Sequence, residues 1–387
     1  MPSPNRSGTV SSPFERNAAA SQSESDETPC PPPTAPPTPS PPLPPATQAV
    51  DFVYAANEEP SSVSAYWVDR DGKLIPVRGS PFRTGSVLQS VTIDPTGRFL
   101  YAAGWDGGIT AYAIVARTGA LHAVAGSPFA AGRGPTSVAI DRGGTYAYAN
   151  NINSGDISVY SIDAHSGALA PVEGSPFAMG RVPYRLVLNP RRHVAYVVFN
   201  SSIGTFDTAG GHFKQLGETR IVNGRGGGLD IAIDHDGDRL YATNDGASTI
   251  STYTVDGHTG ALQPIPGAPL KAGVGPQDVR VDPSARFLYV ANLNGSISAY
   301  AIDRVTGGLT TIVGSPFRGS DGPQAMTITP DGKLLYATNF SSRSVAGFAI
   351  DQRTGALEPV AGSPFQAGGH PWGMASCRRV GNRCRPY

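Results

Sequence analysis

Arg185, Asp230 and Asp278 are the residues of this chain best suited to acid–base chemistry, because each stands at the same point of an internal repeat. The corresponding residues of the other copies are Ser90, Ser137, Ala325 and Gly373. Two carboxylates about 8 Å apart at an effective dielectric of about 20 repel by about 2 kcal/mol. A neighbouring arginine, a cation or a raised pKa relieves that repulsion, so the cluster reads equally as a binding or catalytic site and as a structural ion pair plugging a channel. With a carboxylate as general base and a guanidinium to take a developing oxyanion, such a set supports hydrolysis by an activated water. His370 is a third candidate base, since it alone of the seven histidines falls beside the start of one of these segments. Tyr184 and Trp372 add aromatic surface, and Arg133, Arg181 and Arg225 stand just ahead of three repeats, where with Arg185 they could hold a phosphate. No Gly-x-Ser-x-Gly elbow supplies a nucleophile, and no motif calls for a cofactor or a metal.

What positions these residues is a repeat tagged by Gly-Ser-Pro-Phe at Gly79–Phe82, Gly126–Phe129, Gly174–Phe177, Gly314–Phe317 and Gly362–Phe365, with Gly-Ala-Pro-Leu at Gly267–Leu270. Successive tags lie 47 or 48 residues apart, except for one gap of 93 that holds a degenerate copy over Tyr184–Gly217. Within a unit, short period-two runs alternate with Gly, Asp, Asn and Ser clusters, as in Ser137–Asp141, Thr145–Ala149, Ile157–Ile162 and Ala168–Val172. Four such runs in about 47 residues predict the four antiparallel strands of a propeller blade. The count is seven, because a tyrosine opens the second strand at Tyr54, Tyr101, Tyr148, Tyr196, Tyr241, Tyr289 and Tyr336. The third strand carries Tyr66, Tyr112, Tyr160, Phe206, Tyr253, Tyr300 and Phe348, and both sets read as packing between blades. The expected fold is therefore an all-β, seven-bladed propeller. The chain enters it at a second strand, Phe52–Tyr54, and the missing first strand appears only at Trp372–Ser376, so the last strand should close the first blade.

Thirty basic and thirty acidic residues balance, and only 16% of the chain is charged, which argues against a nucleic-acid binder. No run of eighteen apolar residues predicts a membrane span. Residues 1–48 are Ser/Pro-rich, with Pro31–Pro45 nearly all proline, and read as a disordered spacer. A proline-rich spacer starting at Cys30 resembles a lipoprotein stalk, but the residues before it are wrong for a lipobox. No signal-peptide pattern is present, so the expected place is the cytoplasm, or the envelope or exterior if the true start lies upstream. The propeller is expected over 49–380, as a monomer, followed by a basic tail, 381–387. Cys377 and Cys384 fit a small disulfide loop or two free thiols.

Tyr241-Ala-Thr-Asn244, Tyr289-Val-Ala-Asn292, Tyr336-Ala-Thr-Asn339, Ile297–Asp303 and Thr354-Gly-Ala-Leu357 together resemble the repeat of the seven-bladed propeller lactonases and their Tyr-Val-Thr-Asn relatives. The resemblance covers the whole repeat region and implies hydrolysis of a lactone of the 6-phosphogluconolactone type without a metal. Catalytic members tend to begin an inner strand with Gly-Pro-Arg-His, whereas the starts here, such as Pro183-Tyr-Arg185 and Pro276-Gln-Asp278, never read Arg-His. No catalytic pair is carried over by the resemblance. Two functions stay open, lactone hydrolysis at the mouth formed by Arg185, Asp230 and Asp278, and a non-catalytic propeller that binds a partner. A quinone dehydrogenase is a poor third, with only three Trp in the chain.

Overall fold

Period-two alternation gives every strand two faces, and in a ring of radial blades each face meets a different neighbour. The computed structural model describes residues 41–45, 50–221 and 228–386, with Gly228 and Leu229 as backbone only. Among these, seven antiparallel sheets follow one another around a central channel. We number the blades by their inner strands: Leu88–Ile93 (blade 1), Pro135–Ile140 (2), Arg185–Leu188 (3), Gly228–Ile233 (4), Pro276–Val281 (5), Pro323–Ile328 (6) and Pro371–Val380 (7). The apolar side chains form seven clusters, each shared by two adjacent blades. In Asp51–Asn57, for example, Phe52, Tyr54 and Ala56 pack against blade 1, while Val53 and Ala55 pack against blade 6.

The repeated aromatics are latches as well as packing. The second strands begin two or three residues before their tyrosine, not on it, so the ring sits mid-strand and fully buried. Its hydroxyl reaches forward to a carbonyl of the next blade: Tyr54 to Gly119, Tyr101 to Gly167, Tyr196 to Gly260, Tyr289 to Gly355 and Tyr336 to Gly72, all at 2.8–3.0 Å, and Tyr148 to Thr208 at 3.4 Å. Third-strand tyrosines reach back instead: Tyr66, Tyr112, Tyr160 and Tyr300 donate to the carbonyls of Gln366, Arg83, Ala130 and Lys271. Each acceptor is the residue just after a tag, Gly-Ser-Pro-Phe for the first three and Gly-Ala-Pro-Leu for Lys271. Blade 3 has no tag, and the Tyr253 hydroxyl of blade 4, which would reach for it, has no hydrogen-bond partner.

The tag itself is a fifth strand of two residues. Its phenylalanine or leucine pairs with the start of the third strand, as Phe82 does with Val63. Its glycine takes a positive φ of 81–90° that a side chain would strain. Its serine hydroxyl accepts the N–H of a third-strand residue, Ala65, Ala111, Val159, Ala299 or Gly347. Blade 3 manages with a longer outer strand, Lys214–Arg220, that pairs along the whole of Ser202–Asp207.

Ring closure follows the expected frame. Pro371–Val380 pairs with Asp51–Asn57, with Val53 opposite Ser376 and Tyr54 opposite Ala375. Arg378 grips Asp51 through two hydrogen bonds of 2.8 and 2.7 Å and reaches Asp331 of blade 6 at 2.7 Å. Beyond it Arg383–Arg385 folds back on the closing strand, and a Cys377–Cys384 disulfide, buried at both ends, ties the hairpin. Thus the residues after 380 carry a strand of the last sheet. The Trp67 indole also donates to the Pro42 carbonyl at 3.2 Å, so the end of the proline-rich stretch lies against the propeller. Cys30 and the rest of residues 1–40 lie outside the described residues. Among the described residues no helix is long and apolar enough to cross a membrane.

Candidate active site

The inner strands meet the ring axis with one edge, and apart from the C-terminal hairpin of blade 7 that edge carries backbone groups that no strand pairs. At its upper end, where the chain enters each blade, the register with the second strand slips in every blade but the third. Such bulges re-aim the side chains beside them. Asp230 and Asp278 lie at two of them. The Thr243 hydroxyl accepts the freed Asp230 N–H at 3.0 Å, and the Thr338 hydroxyl does the same for Ala325. In blade 7 the equivalent residue is Gly373, where a Cβ would stand 2.6 Å from the Ser90 Cα.

Each carboxylate reaches sideways to the next inner strand. Asp230 Oδ2 accepts the Val279 N–H at 3.1 Å, and Asp278 Oδ2 accepts the Met326 N–H at 3.0 Å. Their other oxygens face arginines. Arg185 Nε lies 2.8 Å from Asp230 Oδ1, yet out of hydrogen-bond alignment, so that buried oxygen takes no hydrogen bond. Arg185 also lies 3.9 Å from Asp278 Oδ1, and Arg280 donates to that oxygen at 2.6 Å. Arg280 in turn holds the Met326 carbonyl at 2.9 Å. The carboxylates are 3–4% exposed, and the Arg185 and Arg280 side chains 24% and 27%, so the arginines are the face the cluster turns to solvent. Burial pushes the Asp278 carboxyl up from its ordinary 3.8; Arg280 pulls it back, and the Asp230 charge adds to the rise.

The channel encloses about 520 Å³ and is lined by Tyr184, Arg185, Asp230, Asp278 and Trp372 of the residues singled out in the sequence. Three others stand elsewhere. His370 is absent from the lining: its Nε2 accepts from Arg343 Nε at 2.9 Å, which leaves Nδ1–H to donate to the Phe340 carbonyl at 2.9 Å. Arg181 is turned outward, 3.7 Å from the Phe199 ring, and grips Glu218 with bonds of 2.7 and 2.8 Å. Arg133 is exposed in its connection. Arg225 lies outside the described residues. Arg280 was missed, although two steps along a strand from Asp278 is the same face, and that period is the signal that would have found it. Among the described residues no three His, Cys, Asp or Glu side chains are grouped to hold a metal ion.

The chain matches the family described as lactonase, 7-bladed β-propeller, over residues 40–316 and 264–371. No curated protein sequence is significantly similar to it. Among solved structures it is similar to the periplasmic gluconolactonase of Pseudomonas aeruginosa, at 18% identity and a TM-score of 0.74, covering 85% of this chain and 99% of that one. It is also similar to a candidate 6-phosphogluconolactonase of Bacteroides fragilis, at 18% identity and a TM-score of 0.73, covering 86% and 99%. A like protein of Bacteroides uniformis gives 19% identity and a TM-score of 0.73, covering 85% and 99%.

Proposed function

Because the chain belongs to the lactonase family of seven-bladed β-propellers, we propose that it hydrolyses a sugar lactone of the gluconolactone type at the upper mouth of its channel. The observation that carries the reading is the partly exposed Arg185 set against two buried carboxylates from consecutive blades. Asp230 Oδ1, which takes no hydrogen bond, accepts a proton from a water as that water adds to the lactone carbonyl. Arg185 takes the negative charge that develops on the carbonyl oxygen. As the adduct collapses, the ring C–O bond breaks and the Asp278 carboxyl gives its proton to the departing ring oxygen. The product is the open hydroxy acid, and the proton on Asp230 returns to Asp278 through solvent. Opposed roles for two neighbouring carboxyls need environments that hold their protons differently. Burial around Asp278 raises its pKa and favours the protonated carboxyl that the acid role needs.

A second reading, a non-catalytic binding module, has one observation in its favour: both carboxylates also bridge neighbouring inner strands through Val279 and Met326, as structural residues would. The test is hydrolysis of a panel of sugar lactones by the purified protein, with and without a chelator. Turnover above the spontaneous rate, unchanged by the chelator, is expected. Failure to turn over any lactone rejects the catalytic reading in favour of the binding module.

A further inference from the structure

Among the described residues, the cations of the channel are already matched. Arg185 and Arg280 are the only basic residues among its described lining, and they face Asp230 and Asp278 at 2.8 and 2.6 Å. Arg181, which the sequence offered to a phosphate, is held by Glu218 and points away. A phosphate monoester carries about −1.5 to −2 charges near neutral pH. Among the described lining residues it would find no uncommitted cation and would stand beside two buried carboxylates.

One step before each charged or equivalent position the wall is neutral. The residues there are Gln89, Thr136, Tyr184, Gln277, Gln324 and Trp372, one from each blade but the fourth, and all six line the channel. The amides of Gln89 and Gln324 make no hydrogen bond within the described chain, and Gln277 uses only its NH₂, weakly, at 3.4 Å to Asp245 and Gly275. An amide offers a donor and an acceptor together, which suits a hydroxyl group. Tyr184 and Trp372, from blades 3 and 7, offer flat apolar surface to the carbon face of a sugar ring. Resting on the lactonase reading above, we infer that the site selects a neutral polyhydroxy lactone over its 6-phosphate, with Gln89, Gln277 and Gln324 as specificity-determining residues.

Equilibrium binding separates this from catalysis. The probes are gluconolactam, in which a ring N–H replaces the hydrolysable ring oxygen, and its 6-phosphate, titrated calorimetrically into the intact protein. The neutral lactam should bind at least about tenfold tighter than the phosphate, with little change between low and high salt. Gln89→Ala and Gln324→Ala should each weaken the neutral lactam by up to about tenfold, the loss of one hydrogen bond. Gln324→Arg, which adds an unmatched cation at the open mouth, should shift the preference toward the phosphate. Equal or tighter binding of the phosphate by the unaltered protein overturns the inference, and so does binding of neither probe. Should the neutral lactam bind as expected while glucono-1,5-lactone is not hydrolysed, the inference stands and only the catalytic reading falls.

Discussion

At the scale of single residues, the cluster is defined by what each carboxylate oxygen lacks or holds. Asp230 Oδ1 has an arginine at 2.8 Å and no hydrogen bond, whereas Asp278 Oδ1 is bonded to Arg280 at 2.6 Å. If Asp230 is the base and Asp278 the acid, Asp230→Asn and Asp278→Asn should each lower kcat by roughly 10²–10⁴ with the fold retained, as circular dichroism and steady-state kinetics would report. The pH profile carries the sign. Burial, and secondarily the Asp230 charge, raise the Asp278 pKa, so its proton is present at low pH and lost as pH rises through that raised value. Activity should therefore fall on the alkaline side, and Asp278→Asn should remove that limb, not move it. A profile with an unchanged alkaline limb in the variant assigns the proton elsewhere. Arg185, Asp230 and Asp278 were legible in the sequence because the repeat register aligned them. Arg280 was not, because it lies two residues beyond the position that the repeat register aligns, and the Glu218 partner of Arg181 was not, because nothing in that repeat reveals a glutamate 37 residues further on.

At the scale of the strand and its neighbours, the tyrosine latches make a sharper test than packing alone. Tyr289 and Tyr241 occupy the same place in consecutive blades and both are fully buried. The Tyr289 hydroxyl holds the Gly355 carbonyl at 2.9 Å, while the Tyr241 hydroxyl has no partner. Near that hydroxyl's expected acceptor, Arg239 crosses to the carbonyls of Arg304 and Val305. Tyr289→Phe should cost about 1 kcal/mol of unfolding free energy, and Tyr241→Phe should be neutral or stabilising, because it removes a buried hydroxyl that nothing satisfies. Equal losses in chemical denaturation would mean the latches contribute only their ring contacts. The seven tyrosines were visible in the sequence, but their hydroxyl partners were not, since these lie about 65 residues away in another blade. Blade 3 shows how a missing tag is offset: the Arg181–Glu218 pair joins its entry segment to its outer strand. Hydrogen bonds from Arg181, then from Ser202, hold the Glu218 pKa down at about 2, from 4.5. Folding therefore gains from that carboxylate above pH 4.5 and loses the gain as pH falls toward 2. The pair is over a third exposed, so Glu218→Gln should cost less than about 1 kcal/mol at pH 7, and the difference from the parent should vanish below about pH 2. A constant difference across that range would show that the glutamate acts by packing and not by charge.

At the scale of the whole ring, one strand decides whether there is a ring at all. The sequence disclosed this, because the chain begins the repeats one strand late and supplies the missing strand at its end. Cys pairing was not decidable there, since a spacing of seven fits both a loop and two thiols; the turn at Gly381, with φ near 60°, returns Cys384 to Cys377. The closing strand is fixed by three separate means. It pairs with Asp51–Asn57, its Ser376 hydroxyl meets Thr327 of blade 6 at 2.8 Å, and its hairpin presents the Cys384 N–H to Gly97 of blade 1 at 3.0 Å. Removing residues after Gly368 would bare one edge of Asp51–Asn57 and uncover apolar faces of blades 1 and 6, so cooperative unfolding should be lost altogether. Cys377→Ser with Cys384→Ser leaves every strand in place and frees only the hairpin, so it should cost about 2 kcal/mol, the scale expected for a short cross-linked loop. The truncation and the double substitution must therefore differ in kind: one melts without a sharp transition, the other with the same shape at a lower midpoint. If calorimetry finds the truncated protein folded, with a melting temperature equal to that of the double variant, then the pairing of Pro371–Val380 with Asp51–Asn57 adds nothing beyond the disulfide and is not what seals the ring.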